Sequence, residues 1–211
     1  DLAGDADRDV MRPDADRHLV AVRHVADVGV GAEVADGARE LAFEGALRER
    51  VGMLKGLSVD ALQSCYDERV KLNPGARTLV TTMAKHGARC ALVSGGFTFF
   101  ADRVRAGLGI DFARSNMLEV DNGQLTGRMV DQAWGDICDG AEKRRTLLEL
   151  ASLMGISPKQ AIAVGDGAND LPMMGVAGLS VAYHAKPTVR AQAHVAINQG
   201  GLDRLLEVVT P

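Results

Sequence analysis

Gly165-Asp166-Gly167-Ala168-Asn169-Asp170 places two carboxylates four residues apart, with an amide between them, in one glycine-punctuated stretch. Hard oxygen ligands from a single turn suit Mg²⁺, which takes one or two carboxylates and keeps its other positions for water and phosphate oxygens. The glycines let the backbone turn tightly and approach a ligand closely. The same residues also suit an Asx-rich turn that caps the next helix. A second cluster, Ser94-Gly95-Gly96, sits between an apolar run and a helical one. A hydroxyl with free backbone N–H groups ahead of a helix suits an anion such as phosphate, although an ordinary strand-to-helix turn has the same composition. Lys143 has the charge to neutralise a phosphate, or it lies in solvent with its neighbours Arg144 and Arg145. Arg48 and Arg50 have the geometry to grip a carboxylate, or they face water on a charged helix. His184 and His194 read as structural, and no His/Cys cluster has metal-ligand spacing.

Elements must bring these clusters together, and the sequence supplies them. Residues 33–72 are charged and helix-prone, with Leu47, Val51 and Leu54 at helical spacing and Ser58 as a cap for a helix from Val59. Asn73-Pro74-Gly75 breaks the chain and opens a helix to about His86. Arg89–Val93 then reads as a short apolar strand ending in Ser94-Gly95-Gly96, followed by a helix over 97–108. Two strand-like runs flank Asp121-Asn122-Gly123, a hairpin signal. A helix is expected from Ala141 to Met154, strands at Ala161–Val164, Leu179–Ala182 and Val195–Ile197, and a closing helix from Leu202.

Strands alternating with helices predict an α/β fold, a doubly wound parallel sheet, with residues 33–72 outside the sheet as a small inserted helical cap. Ligands of such sheets sit beyond the carboxyl ends of the strands. Both Gly-rich clusters fall there. The expected division is 1–28 and 73–211 for the core and 29–72 for the cap.

The totals narrow the class. The chain has 211 residues, 46% of them hydrophobic, enough for one substantial core and a small insertion. A net charge of -4 argues against a nucleic-acid partner, and no apolar run reaches membrane-spanning length. Cys65, Cys90 and Cys138 are odd in number and lack CxxC spacing. They read as small buried thiols in a reducing cytoplasm.

From Phe43 to Leu206 the chain resembles the phosphoserine phosphatase family of the haloacid dehalogenase superfamily. The resemblance rests on Leu47-Arg48-Glu49-Arg50-Val51 with Leu54-Lys55-Gly56-Leu57 in the cap, and on Val93-Ser94-Gly95-Gly96-Phe97 as the second superfamily motif. It rests also on Lys143 at the third-motif spacing, on Ala163 to Asp170 as the fourth motif, and on Ala185-Lys186-Pro187 beyond it. The resemblance implies a Rossmann-like core and a Mg²⁺-dependent phosphomonoesterase, monomer or homodimer, acting on L-phosphoserine in serine biosynthesis. Hydrolysis would proceed through an aspartyl-phosphate. By position, Ser94 and Gly95 would hold the phosphate, and Lys143 would stabilise nucleophile and phosphoryl charge. Asp166, with Asp170, would bind Mg²⁺, and Asn169 would complete that end of the site. Arg50 would meet the substrate carboxylate, and Phe43 would help close the cap.

The family's first motif is an apolar strand followed by two aspartates two residues apart, nucleophile and acid–base, which also contribute to the metal site. Two copies compete for that place. Asp14-Ala15-Asp16 follows Arg12-Pro13, and proline is poor in a central strand. Asp5-Ala6-Asp7 has the usual distance to Phe43 but only four residues before it. Neither copy carries the Ser-Thr that ends the motif. Residues 6–42 depart from the pattern at preserved length, as a compensated frameshift would produce.

Overall fold

In the computed structural model, residues 19–22, 26–27 and 39–209 are described. The centre of the fold is a six-stranded sheet in the order β10-β9-β8-β1-β4-β5, with every neighbouring pair parallel. Its strands are β1 (Leu19–Val22), β4 (Arg89–Phe97), β5 (Phe112–Asn116), β8 (Ala161–Gly165), β9 (Leu179–Tyr183) and β10 (Val195–Ile197). From β1 the chain builds outward through β4 and β5 on one side. It then returns to the other side and builds through β8, β9 and β10. The reversal falls between β1 and β8, and the crevice of a doubly wound sheet opens at the carboxyl ends beside such a point.

Period-two alternation divides the central strands between two cores. Val20, Leu92, Ile162, Val164 and Val181 point to one face, packed with Leu79 and Leu205. That face is covered by α3 (Ala76–Lys85), α4 (Thr98–Leu108) and the turn at Leu202–Leu205. Leu19, Ala21, Ala91, Val93, Ala161, Ala163 and Ala182 point to the other, packed with Leu147 and Met173. There α5 (Gly140–Met154) and α6 (Leu171–Met174) lie on the sheet. Alanines dominate this second face, so α5 can approach closely, which matters for its lysine.

A third apolar cluster stands apart from the sheet. Leu47 and Val51 of α1 (Arg39–Met53) and Leu62 of α2 (Val59–Arg69) pack with Leu118 and Leu125. The last two belong to the hairpin β6 (Leu118–Asp121) and β7 (Gln124–Met129). The hairpin turns at Asn122 and Gly123, with φ of 48° and 76°, as the Asn-Gly pair predicts. Ser58 Oγ accepts from the Asp60 N–H and caps α2 as expected. Two short strands, β2 (Ala26–Asp27) and β3 (Lys71–Leu72), pair antiparallel at the base of the α1–α2 unit. The short helices α7 (Pro187–Arg190) and α8 (Leu206–Val209) complete the chain.

The sequence expectations differ from the structure in several places, and β5 of the central sheet and the short β2 and β3 were not among the expected strands. The strand expected at Arg89–Val93 runs on to Phe97 through the Ser-Gly-Gly cluster, because pairing with β5 resumes at Phe97 opposite Asn116 after a register shift. The closing helix is only a 3₁₀ turn and one α-turn. The central strand β1 starts at Leu19, after both Asp-Ala-Asp copies, whereas the first motif was expected to place a strand before them. Asp5, Asp7, Asp14 and Asp16 themselves lie outside the described residues. Among the described residues, no helix is long and apolar enough to cross a membrane.

Candidate functional site

Strand β8 is buried along its whole length and ends at Gly165. The chain then turns through a 3₁₀ segment, Ala168–Asp170, into α6, where Pro172 occupies the first turn. Asp170 is wholly buried in this turn. One of its oxygens, Oδ2, accepts from the backbone N–H groups of Asp166 at 3.0 Å and Gly167 at 3.2 Å. Its other oxygen, Oδ1, accepts from Lys143 Nζ at 2.7 Å. Gly165 is required by this packing. A Cβ there would lie 2.4 Å from the Asp170 Cβ and 2.7 Å from its Cγ.

Lys143 reaches the turn because α5 starts close to it. Gly140 opens the helix, and a Cβ there would meet the Asn169 carbonyl at 3.1 Å and the Pro172 ring at 3.2 Å. Asp139 caps the helix by accepting the Glu142 N–H at 2.8 Å. Lys143 and Asp170 are both 0% exposed. The alternative reading of Lys143 as a solvated surface residue is thereby corrected. Burial of a charge is costly unless it is paired and hydrogen-bonded, and this pair meets that condition.

Across β1, strand β4 carries the second cluster. Ser94 Oγ accepts from the Gly96 N–H at 3.0 Å, so the hydroxyl shapes its own turn. Val22 is level with Leu92 of β4 and Val164 of β8. Ser94 and Asp166 each lie two residues beyond those positions, so both stand at the carboxyl end of the sheet with β1 between their strands. In sequence the residues after β1 are Arg23-His24-Val25.

The α1–α2 unit leans on the same end. A Cβ on Gly95 would touch Phe43 Cζ at 3.3 Å, so the Phe43 ring sits over the Ser-Gly-Gly turn. Arg50 is exposed and stands two helical turns beyond Phe43, seven residues on, which keeps it on the same side of α1. Arg48 is engaged elsewhere: its guanidinium bonds Glu44 and Asp136, the latter at 2.6 Å. That second bond ties α1 to the segment leading into α5.

Several supporting residues gave no signal in the sequence. Asn116, fully buried, bridges Gly95 and Cys138. Arg114 bonds Glu142 at 2.7 Å and Glu149 at 2.8 Å, pinning α5 to β5. Both sit on one short strand with no turn residues or motif spacing to mark them. Lys186 donates its backbone N–H to the Asp166 carbonyl at 3.2 Å. His184 Nε2 donates to the Gly200 carbonyl, and His194 Nδ1 accepts from the Ser180 N–H, so both histidines are occupied structurally as read.

Cys90 and Cys138 are buried, and burial pushes each thiol up to about 12. Among the described residues, no three His, Cys, Asp or Glu side chains form a metal-holding group. Asp166, in the same turn, is partly exposed.

The family model for haloacid dehalogenase-like hydrolases matches residues 6–175. The chain is 58% identical over 196 residues to a phosphoserine phosphatase of Polaromonas sp. (strain JS666), covering 93% of this chain and 80% of that one. It is 60% identical over 169 residues to a phosphoserine phosphatase of Albidiferax ferrireducens, covering 80% and 71%. Its fold matches that of a substrate-bound phosphoserine phosphatase complex with a TM-score of 0.80 at 29% identity, covering 92% of this chain and 99% of that one.

Proposed function

We propose that this chain, which belongs to the phosphoserine phosphatase family of the haloacid dehalogenase-like hydrolases, hydrolyses L-phosphoserine to L-serine and inorganic phosphate. The observation that carries the reading is the wholly buried Lys143–Asp170 pair, set in the turn with Asp166 at the same end of the sheet as Ser94. Phosphoryl transfer asks a protein mainly for position and charge neutralisation. A fixed ammonium that needs no reorganisation supplies the second.

On this reading Ser94 and Gly95 hold phosphate oxygens, and Lys143 Nζ neutralises phosphoryl charge. Asp170 orients Lys143 and the Asp166-Gly167 backbone together, and Asn169 closes that side. Arg50 takes the substrate carboxylate through charge-assisted hydrogen bonds. Phe43, seated over Gly95, excludes water, with residues 29–72 as the cap. Mg²⁺ fits the donor chemistry through the Asp166 carboxylate, with one Asp-Ala-Asp copy, phosphate oxygens and water in its other positions, and would supply charge neutralisation when bound. Asp170, expected beside Asp166 as a ligand, has both oxygens engaged by Lys143 and the Asp166 and Gly167 N–H groups and serves instead to orient them. Free thiols at Cys65, Cys90 and Cys138 support a reducing compartment, the cytoplasm.

The reaction needs two carboxyl groups. One forms a bond to phosphorus as the bond from phosphorus to the serine oxygen breaks. The other gives that oxygen its proton, then takes a proton from the water that splits the acyl phosphate. Asp14 and Asp16, or Asp5 and Asp7, are proposed for these roles. Both copies precede β1, so single Asp→Asn substitutions, rather than the strand's position, identify the pair. The function is tested by comparing substrates. L-phosphoserine should be turned over with a higher kcat/KM than phosphoesters lacking an α-carboxylate. Equal turnover of both kinds would contradict the assignment.

A further inference from the structure

We infer that Asn116 is a positioning residue for phosphate binding: its buried amide fixes the Ser94-Gly95 turn to the segment that starts α5, and so holds Ser94 and Lys143 in one frame. The inference rests on the reading of Ser94 and Gly95 as the phosphate-holding turn.

Strand β4 cannot hold this turn by its own ladder. Val93 pairs with Arg114 and Phe97 with Asn116, so four steps along β4 correspond to two along β5. Ser94, Gly95 and Gly96 therefore bulge from the pairing. The Asn116 side chain fills the gap. Nδ2 donates to the Gly95 carbonyl at 2.7 Å, and Oδ1 accepts from the Cys138 N–H at 2.6 Å. A carbonyl can only accept and a backbone N–H can only donate, so these partners fix the orientation of the amide. Asn116 is 0% exposed, which makes the loss of either bond costly and the geometry well determined.

Cys138 immediately precedes Asp139, the cap of α5, and Lys143 lies one helical turn further on. The Gly95 and Cys138 backbones also lie close together, since a Cβ on Gly95 would come within 3.4 Å of the Cys138 carbonyl. Two residues earlier on β5, Arg114 holds α5 through Glu142, the neighbour of Lys143. One strand edge thus sets both the anion turn and the lysine helix.

The test measures inorganic phosphate affinity and Tm together on the full chain. Asn116→Asp keeps an acceptor for the Cys138 N–H but sets a carboxylate oxygen against the Gly95 carbonyl. Asn116→Ala removes both bonds without adding charge. Leu108→Ala, in the core under α4, serves as a control for loss of stability alone. We expect either Asn116 variant, where folded, to weaken phosphate binding at least tenfold while Leu108→Ala stays within twofold of the parent. Phosphate affinity within twofold of the parent in a folded Asn116 variant would overturn the inference, as would equal weakening by Leu108→Ala. A parent chain that binds no phosphate would instead overturn the reading of the turn itself.

Discussion

Lys143 Nζ and Asp170 Oδ1 lie 2.7 Å apart with neither side chain exposed. Removing one member of such a pair takes a counter-charge away from the other inside the fold, at about 3–5 kcal/mol. Lys143→Met should therefore lower stability by that order and abolish phosphate release. Replacing both, as Lys143→Met with Asp170→Leu, should cost less than the sum of the two single changes and leave activity lost. Urea denaturation of the three variants checks this, and simple additivity would contradict the pairing.

Gly165→Ala tests the packing of the turn. Its Cβ would be forced within 2.4 Å of the Asp170 Cβ, and the Asp170 carboxylate is held by Lys143 and two backbone donors. Overpacking of this kind costs about 1–3 kcal/mol. Thermal denaturation should register that loss, and phosphate affinity should fall with it.

Arg48 and Arg50 lie two residues apart on α1 and should behave differently. The Arg48–Asp136 bond is exposed, and such pairs contribute about 0–1 kcal/mol. Arg48→Ala should change Tm and KM little. Arg50→Ala should raise KM for L-phosphoserine about 10–100-fold, the loss of a charge-assisted hydrogen bond. KM for a phosphoester without a carboxylate should stay within threefold. Steady-state kinetics on both substrates checks the split.

The buried thiols predict alkaline lability. Cys90 and Cys138 ionise near 9 when unfolded but are held at about 12 in the fold. The unfolded chain thus loses protons that the native chain keeps once pH exceeds about 9. Stability from these groups is fully present below about pH 9 and is lost as pH rises toward about 12, by about 1.4 kcal/mol per pH unit for each thiol. Denaturant titrations at pH 8 and pH 10 should show the fall. Cys65, half-buried, should be alkylated first in the native protein.

Much of the site was legible because its residues fall at strand ends in glycine-marked turns. Gly165 to Asp170 and Ser94-Gly95 announce tight backbone by composition, and the Asn122-Gly123 turn does the same. Burial was not legible. Lys143 stands between Glu142 and Arg144, and charge alone cannot reveal that a run of alanines lets α5 approach the sheet. Asn116 was invisible for a related reason: its role comes from a register shift between β4 and β5, which no local pattern encodes. The position of β1 was missed because Leu19–Val22 has only four residues, too few for periodicity to distinguish it from the surrounding chain.

The most direct measurement is phosphate release from L-phosphoserine by the full chain, with Mg²⁺ and with chelator, beside single Asp→Asn changes at Asp5, Asp7, Asp14 and Asp16. Release should be Mg²⁺-dependent, stop under chelation and be abolished by substitution within one Asp-Ala-Asp copy only. A folded chain that binds phosphate but releases none from L-phosphoserine would contradict it.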